Sequence, residues 1–168
     1  MKVFYYNQDN INTDLMFPGK YTYESSDPEF IKQHLFEDLD PEFSNRVKPG
    51  DIVMAGRNFG CGSSREQPAV GLKYCGVRAI IAKSFARIFY RSSTNQGLLL
   101  IESPKAVEEY NQGEEVQIDE IKGEISIGNK KYKFPSLPKQ MQDILANGGL
   151  LKYIKSKSHY FTFSDKME

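Results

Sequence analysis

The fold is decided by residues 58–66, which read Asn-Phe-Gly-Cys-Gly-Ser-Ser-Arg-Glu. The preceding residues 52–55, Ile-Val-Met-Ala, form an apolar run that is typical of a buried strand. Glycines before and within the stretch permit a tight turn and leave room for a ligand to approach the backbone. Ser63 and Glu66 stand at the spacing of a capping box, and Pro68 is tolerated in the first turn of a helix. The sequence therefore predicts a strand, a glycine turn and a helix N-terminus, whose free N–H groups favour bound anions.

The Ser-Ser-Arg sequence in this turn admits several interpretations. One is an ordinary glycine loop with a serine cap, although a single serine is enough for a cap. An arginine near the positive end of a helix is electrostatically unfavourable, and a bound anion would offset that cost. A Walker loop is disfavoured because its lysine–hydroxyl ending is absent. A dinucleotide fingerprint fits poorly, since Gly60 and Gly62 are followed by Arg65 rather than by a third glycine.

The composition is that of a globular protein, and we expect residues 1–168 to form a single domain. The formal net charge is zero and no basic stripe stands out, so nucleic acid is not an expected partner. No apolar run approaches the roughly 20 residues that a membrane span needs. The chain runs straight from Met1 into a strand-like segment without a signal peptide, so we expect a cytoplasmic location and no membrane association.

The inventory of soft metal ligands is small: Cys61, Cys75, His34 and His159. An iron–sulfur cluster takes three or four thiolates, so this chain cannot hold one by itself. The histidines do not join a metal-binding spacing, and we predict no metal site in this chain. Cys61 lies in the glycine turn, where it is either packed or reactive.

Strands and helices alternate along the first two thirds of the chain. Apolar runs predict strands at residues 2–6, 51–55, 77–82 and 98–101. A helix is expected to begin at Ser84, with Phe85, Ile88 and Phe89 facing the core. Arg87 and Arg91 would then lie one turn apart on another face, which is either a solvated surface or a site for an anion or an acidic partner.

The pattern changes to a small antiparallel meander beyond residue 104. Residues 115–118 and 124–127 alternate between apolar and polar, and a Gly-Asn turn leads into residues 130–134. We therefore predict an α/β fold with a mixed sheet. A parallel β-α-β core carries the site at its loop end, and the meander lies behind it.

A second candidate segment is residues 11–14, which read Ile-Asn-Thr-Asp. Asp14 is either a turn residue that bonds its own backbone or a functional aspartate at the mouth of a cleft. Composition alone does not choose between the two.

Several separated motifs resemble, in the same order, the swivelling β/β/α domain of the aconitase superfamily. They are Asn-Thr-Asp at 12–14 with Pro18, residues 58–66, Lys-Ser-Phe-Ala-Arg-Ile-Phe at 83–89, and Asn-Gln-Gly-Leu at 95–98. Within the superfamily the chain looks most like the free-standing small subunits of 3-isopropylmalate dehydratase, in their short archaeal-like form. The likeness covers most of residues 9–102 and the Gly-Gly pair at 148–149.

The resemblance implies a hydro-lyase whose separate large subunit carries a [4Fe-4S] cluster. By that likeness Ser63 matches the serine that acts as an alkoxide base, and Ser64 and Arg65 match residues that bind a substrate carboxylate. Asp14 matches an aspartate that supports acid–base chemistry, with Thr13 beside it as a substrate contact. The reaction removes water from a 2-hydroxy diacid and adds it back at the neighbouring carbon.

In this family substrate choice is attributed to the loop that here spans residues 20–26. It contains Lys20, Tyr21, Thr22, Tyr23 and Glu24, and it has no arginine to favour an additional carboxylate. Tyrosines and a threonine suit an apolar branch, as in isopropylmalate or a dimethylmalate-like acid, whereas the lysine can pair with a carboxylate, as a homoaconitate-type substrate would need.

Two further positions depart from the pattern of the family. Asn12 stands where an aspartate is common, and Gln67 stands where many members have histidine. The exact substrate therefore stays open. An alternative from another class is a non-catalytic module that binds dicarboxylates without a cluster-bearing partner.

Overall fold

A parallel four-stranded sheet forms the centre of the computed structural model, which describes residues 1–157. Its strands are β1 (Val3–Tyr6), β2 (Ile52–Ala55), β3 (Ala79–Ala82) and β4 (Leu99–Glu102). They lie side by side in chain order, and Val3, Ile52, Ala79 and Leu99 are in register across the sheet. Each crossover therefore moves one strand further in the same direction.

Crossovers of the same hand and direction place their helices on the same face of a parallel sheet. The connections contain α1 (Thr13–Met16), α2 (Pro28–Gln33), α3 (Phe43–Arg46), α4 (Gln67–Tyr74) and α5 (Arg87–Asn95). One hydrophobic cluster joins these helices to alternate sheet residues such as Val53 and Ala55. The fit is close, because a Cβ added to Gly71 of α4 would lie 2.7 Å from Ile31 of α2.

The other face of the sheet is covered by an antiparallel meander. After α6 (Pro104–Glu109), the strands β5 (Val116–Asp119), β6 (Glu124–Ile127) and β7 (Lys130–Lys133) form a three-stranded sheet. A second cluster contains Ile52 and Met54 of the parallel sheet and Ile125 and Ile127 of the meander. Because both faces of the parallel sheet are covered, its central strands β2 and β3 are continuously apolar and fully buried rather than alternating.

The α/β class, the parallel core and the β/β/α layering are as predicted, but the strands do not share one mixed sheet. The meander packs face to face on the parallel sheet through side chains, and no ladder joins β4 to it among residues 1–157. The described chain ends with α7 (Lys139–Ala146) and α8 (Leu150–Lys157), both against α5. His159 lies outside the described residues.

The predicted helix start at Ser84 is wrong, since α5 begins at Arg87. Residues 84–86 stay extended because Phe85 forms a parallel bridge with Phe59, while the Ser84 hydroxyl accepts the N–H of Asn58 at 2.8 Å. This shift leaves Ile88 at the surface, 54% exposed, whereas Phe89 is buried as predicted. No helix in the described part of the chain is long and apolar enough to cross a membrane.

Candidate active site

The loops after β1, β2 and β3 continue side by side beyond the carboxyl edge of the sheet. Thr13 donates its backbone N–H to the Cys61 carbonyl at 2.8 Å, and Gly60 donates to the Ile11 carbonyl at the same distance. Phe59 donates its backbone N–H to the Ser84 carbonyl at 3.0 Å. These bonds bring the two candidate segments, 11–14 and 58–66, into contact at the edge of the sheet.

Ser63 is exposed and lies against the buried hydroxyl of Thr13. The Ser63 N–H donates to Thr13 Oγ1 at 3.0 Å, and the two hydroxyl oxygens are also 3.0 Å apart. Arg65 donates from Nε to Ser63 Oγ at 2.7 Å. Thr13 is only 1% exposed, so its hydroxyl faces Ser63 rather than a ligand.

The predicted capping box is absent at this turn. Helix α4 begins at Gln67 with Glu66 as its N-cap, and no side chain caps it. The Ser63 side chain cannot serve as the cap because Thr13 and Arg65 hold it on the other side of the turn. The serine is thus available for other chemistry, whereas the Ser64 side chain is exposed and has no hydrogen-bond partner among residues 1–157.

Arg65 is held by four hydrogen bonds from this chain. Besides the bond to Ser63, Nη1 donates to Thr22 Oγ1 at 2.8 Å and to the Phe17 carbonyl at 3.3 Å. Nη2 donates to Asp14 Oδ1 at 2.5 Å. The arginine side chain is 14% exposed and the aspartate 62%, so the ion pair opens to solvent on the aspartate side.

Asp14 is placed by the start of α1. The Asn12 carboxamide oxygen caps this helix by accepting the N–H groups of Asp14 at 3.0 Å and Leu15 at 2.8 Å. Asparagine and aspartate are about equally good caps, so Asn12 can fill the place of the aspartate that the resemblance leads us to expect. The lack of a side chain at Gly19 gives the carboxylate its space, since a Cβ there would be 3.0 Å from Asp14 Oδ1.

The first two residues of the predicted specificity loop contact residues at and just after the end of α2. Lys20 Nζ forms a 2.8 Å ion pair with Glu37, which raises the pKa of the lysine. The Tyr21 ring stacks on His34 with centroids 3.8 Å apart. Tyr23 is 98% exposed.

Two contacts at the site have no counterpart among the roles expected from sequence. Thr22 accepts from the arginine through its hydroxyl, and its carbonyl accepts from Gln67 Nε2 at 3.3 Å. The sequence shows that Gln67 replaces the histidine expected from the resemblance. It does not reveal that Gln67 bonds to Thr22, which lies more than 40 residues earlier in the chain.

The described residues contain no group of three or more histidine, cysteine or acidic side chains placed to hold a metal ion. Burial raises the pKa of the Cys75 thiol to about 11, which disfavours the thiolate that metals bind. Cys61 is partly exposed beside the site. These residues do not fit an iron–sulfur cluster.

Comparison with known proteins places this arrangement in a family. The family model for the aconitase C-terminal domain matches residues 5–106. The 3-isopropylmalate dehydratase small subunit of Caldicellulosiruptor saccharolyticus is 49% identical over 151 residues, which are 89% of this chain and 87% of that protein. The protein of the same name from Aquifex aeolicus is 47% identical over 89% of this chain and 90% of its own length.

A solved structure shares the fold as well. The crystal structure of 3-isopropylmalate dehydratase from Methanocaldococcus jannaschii superposes with a TM-score of 0.86 at 42% identity, covering 95% of this chain and 94% of that one. The chain therefore belongs to the aconitase C-terminal domain family, in the group formed by the small subunits of 3-isopropylmalate dehydratase.

Proposed function

We propose that this chain is the small subunit of a hydro-lyase that interconverts 2-isopropylmalate and 3-isopropylmalate in leucine biosynthesis. The observation that carries the proposal is the exposed Ser63 hydroxyl, which lies within hydrogen-bonding distance of Thr13 and Arg65. The name shared by its relatives supports the same reaction. The reaction removes water from a 2-hydroxy diacid and restores it at the adjacent carbon.

Ser63 is the proposed base. As an alkoxide it takes a proton from the carbon next to a carboxylate, while the hydroxyl of the neighbouring carbon takes a proton from an acid and leaves as water. In the rehydration step water adds back, the acid regains its proton and the serine returns its proton to carbon. Thr13 Oγ1 already accepts the Ser63 N–H, so its own O–H is free to donate to the alkoxide. With Arg65 Nε as a second donor, hydrogen bonding favours the charged form of the serine.

The proposed carboxylate site consists of Arg65 and Ser64, with Asp14 as an exchangeable partner. Arginine suits a carboxylate because its planar fork donates paired hydrogen bonds. The Nη2 group is occupied by Asp14, whose exposed side chain can be displaced by a substrate carboxylate. Once released, the aspartate is available for the acid–base role expected from the resemblance. We assign Thr13 to positioning Ser63 rather than to substrate contact, because it is buried.

The loop favours a substrate with an apolar branch over one with a third carboxylate. The ammonium of Lys20 is paired with Glu37 at 2.8 Å, so a substrate carboxylate would have to compete with that carboxylate for the lysine. Tyr23 and Glu24 are exposed on the same loop, where they can contact the substrate or a partner protein. Isopropylmalate and dimethylmalate-like acids fit this loop better than a homoaconitate-type substrate does.

The proposed partner is a separate large subunit that holds the [4Fe-4S] cluster. This chain has only two cysteines, one of them buried, and cannot supply the cluster ligands. We propose that the dicarboxylate substrate binds between the two subunits, in the cytoplasm. The absence of a nucleic-acid or membrane partner stays a prediction from sequence.

The test is reconstitution with the large subunit, followed by the absorbance change on hydration of the alkene diacid. Ser63→Ala is expected to lower the turnover number by about 10²- to 10⁴-fold, while subunit association and the melting temperature stay unchanged. Ser136→Ala, a change at an exposed serine of the meander side, is the matched control and is expected to be fully active. Full activity of Ser63→Ala would refute the proposed base.

A second measurement separates the enzyme from the non-catalytic module. Calorimetry on the isolated chain is expected to show no tight dicarboxylate binding, because Asp14 occupies part of the clamp and the partner is missing. Tight binding by the isolated chain, together with an inactive complex, would favour the module instead.

A further inference from the structure

We propose that Thr22 is a positioning residue for Arg65, through which the specificity loop controls the orientation of the carboxylate clamp. The proposal rests on the function proposed above, because it gives Arg65 the substrate carboxylate as its ligand. Thr22 stands in the loop to which the resemblance attributes substrate choice, but the resemblance gives it no role toward Arg65.

The hydrogen bonds of the guanidinium divide into an anchored side and an exchangeable side. Both N–H groups of Nη1 are taken by the chain, one by Thr22 Oγ1 at 2.8 Å and one by the Phe17 carbonyl at 3.3 Å. Nη2 bonds only the exposed carboxylate of Asp14, and Nε bonds Ser63. An incoming carboxylate can therefore take Nη2 without disturbing the anchor on Nη1.

The anchor is itself fixed in space. Thr22 follows Tyr21, whose ring stacks on His34 at 3.8 Å and lies edge-on to Phe30 at 5.9 Å. On its other side the Thr22 carbonyl accepts from Gln67 Nε2 at 3.3 Å, which ties the loop to the first residue of α4. The hydroxyl thus stays in place although its neighbour Tyr23 is almost fully exposed.

Loss of this hydroxyl leaves a largely buried guanidinium N–H without an acceptor. Valine has nearly the shape of threonine, so Thr22→Val removes the acceptor and little else. Serine keeps the hydroxyl and removes only a methyl group. The two variants therefore separate the hydrogen bond from the packing of the loop.

The kinetic test compares both variants in the complex reconstituted with the large subunit. Thr22→Val is expected to raise KM for isopropylmalate about tenfold, the size expected for one lost hydrogen bond to a charged group, with a smaller fall in kcat. Thr22→Ser is expected to stay within about twofold of the parent. Equal losses in both variants would overturn the proposal, because packing rather than the hydroxyl would then be the cause.

A second readout does not depend on activity. In the isolated chain labelled with ¹⁵N, the Nη1–H signal of Arg65, identified by its loss in Arg65→Lys, is expected to exchange slowly with water in the parent and in Thr22→Ser, and rapidly in Thr22→Val, because Thr22 accepts from this nitrogen. An unchanged exchange rate in Thr22→Val would overturn the positioning role. If the parent complex lacks dehydratase activity while this signal behaves as expected, the proposed function is refuted, but the positioning of Arg65 by Thr22 remains supported.

Discussion

At the scale of single residues, the site depends on a glycine that allows two loops to touch. Gly62 has φ +102°, and a Cβ added to it would lie 3.0 Å from Thr13 Oγ1. That hydroxyl is the one that holds Ser63. The Gly-Ser-Ser-Arg order therefore reflects the space that this contact needs as well as the chemistry of the side chains.

Gly62→Ala is expected to lower the free energy of unfolding by about 1–3 kcal/mol and to abolish most activity, because strain and crowding fall on the same hydroxyl contact. The matched control is Gly113→Ala. Gly113 has a similar φ of +98°, but nothing lies within 4 Å of its added Cβ. Thermal unfolding and turnover of both variants check this: the control is expected to lose stability only. Loss of activity in the control would contradict the local explanation.

At the scale of elements, the loop after α1 is fastened to the end of α2 by Glu37. The carboxylate of Glu37 accepts from Lys20 at 2.8 Å and pairs with His34 at 2.7 Å. Burial acts to raise the pKa of Glu37, but hydrogen bonds from Lys20, His34 and Tyr21 outweigh it and hold this pKa below its ordinary value of 4.5.

The lowered pKa predicts a pH dependence of stability. A carboxyl with a depressed pKa in the folded state stabilises the fold above its unfolded value, and this contribution is lost as pH falls through the folded pKa. Glu37→Gln is therefore expected to melt at a lower temperature than the parent near neutral pH. The difference should shrink as pH falls below 4.5. Melting curves from about pH 3 to about pH 7 measure this, and a difference that is constant with pH would contradict it.

The elements that sequence predicted well are those whose cause is local. Asp27 followed by Pro28 predicts a helix start, and α2 begins there with the Asp27 carboxylate accepting the Glu29 N–H. The prediction that α5 starts at Ser84 was wrong because the Ser84 hydroxyl accepts a hydrogen bond from the N–H of Asn58, which lies on a distant loop. The prediction of one mixed sheet was wrong for a similar reason. Whether the meander pairs with the parallel sheet or packs face to face on it leaves no signal in the local sequence.

The candidate site shows the same limit. The glycine turn and Arg65 could be singled out from motif and resemblance, but their partners could not be derived from spacing. Thr22 lies 43 residues away from the arginine it holds. Nothing in the periodicity of a polar loop reveals such a contact, which depends on the tertiary fold.

At the scale of the whole molecule, the layers leave the site at one edge of the protein. The meander and the helices cover the two faces of the parallel sheet, so the carboxyl edge with Ser63 is the surface that a partner can close. Helix α5 starts at the same edge, next to the bridge between Phe59 and Phe85. Its residues Arg87, Ile88 and Arg91 are exposed, and neither arginine forms an ion pair in the described part of the chain.

We expect Ile88→Asp to weaken association with the large subunit by about tenfold or more, because it puts a charge on an apolar surface at the site edge. Ile121→Asp is the control, since Ile121 is 96% exposed in the meander, at a distance from this edge. Titration of the subunits by calorimetry measures both affinities, and both variants should fold normally. Equal affinities for the two variants would place the partner elsewhere.

The self-contained bonding of Arg65 has a consequence for the free chain in a cell. Organic acids are abundant there, and an open guanidinium beside two serines would trap whichever of them is most concentrated. The carboxylate of Asp14 neutralises Arg65 in the free chain, so a newly made subunit can associate with the large subunit without first releasing a bound organic acid. Selection against other organic acids would then begin in the free subunit, where Arg65 is already paired with Asp14 before any substrate binds.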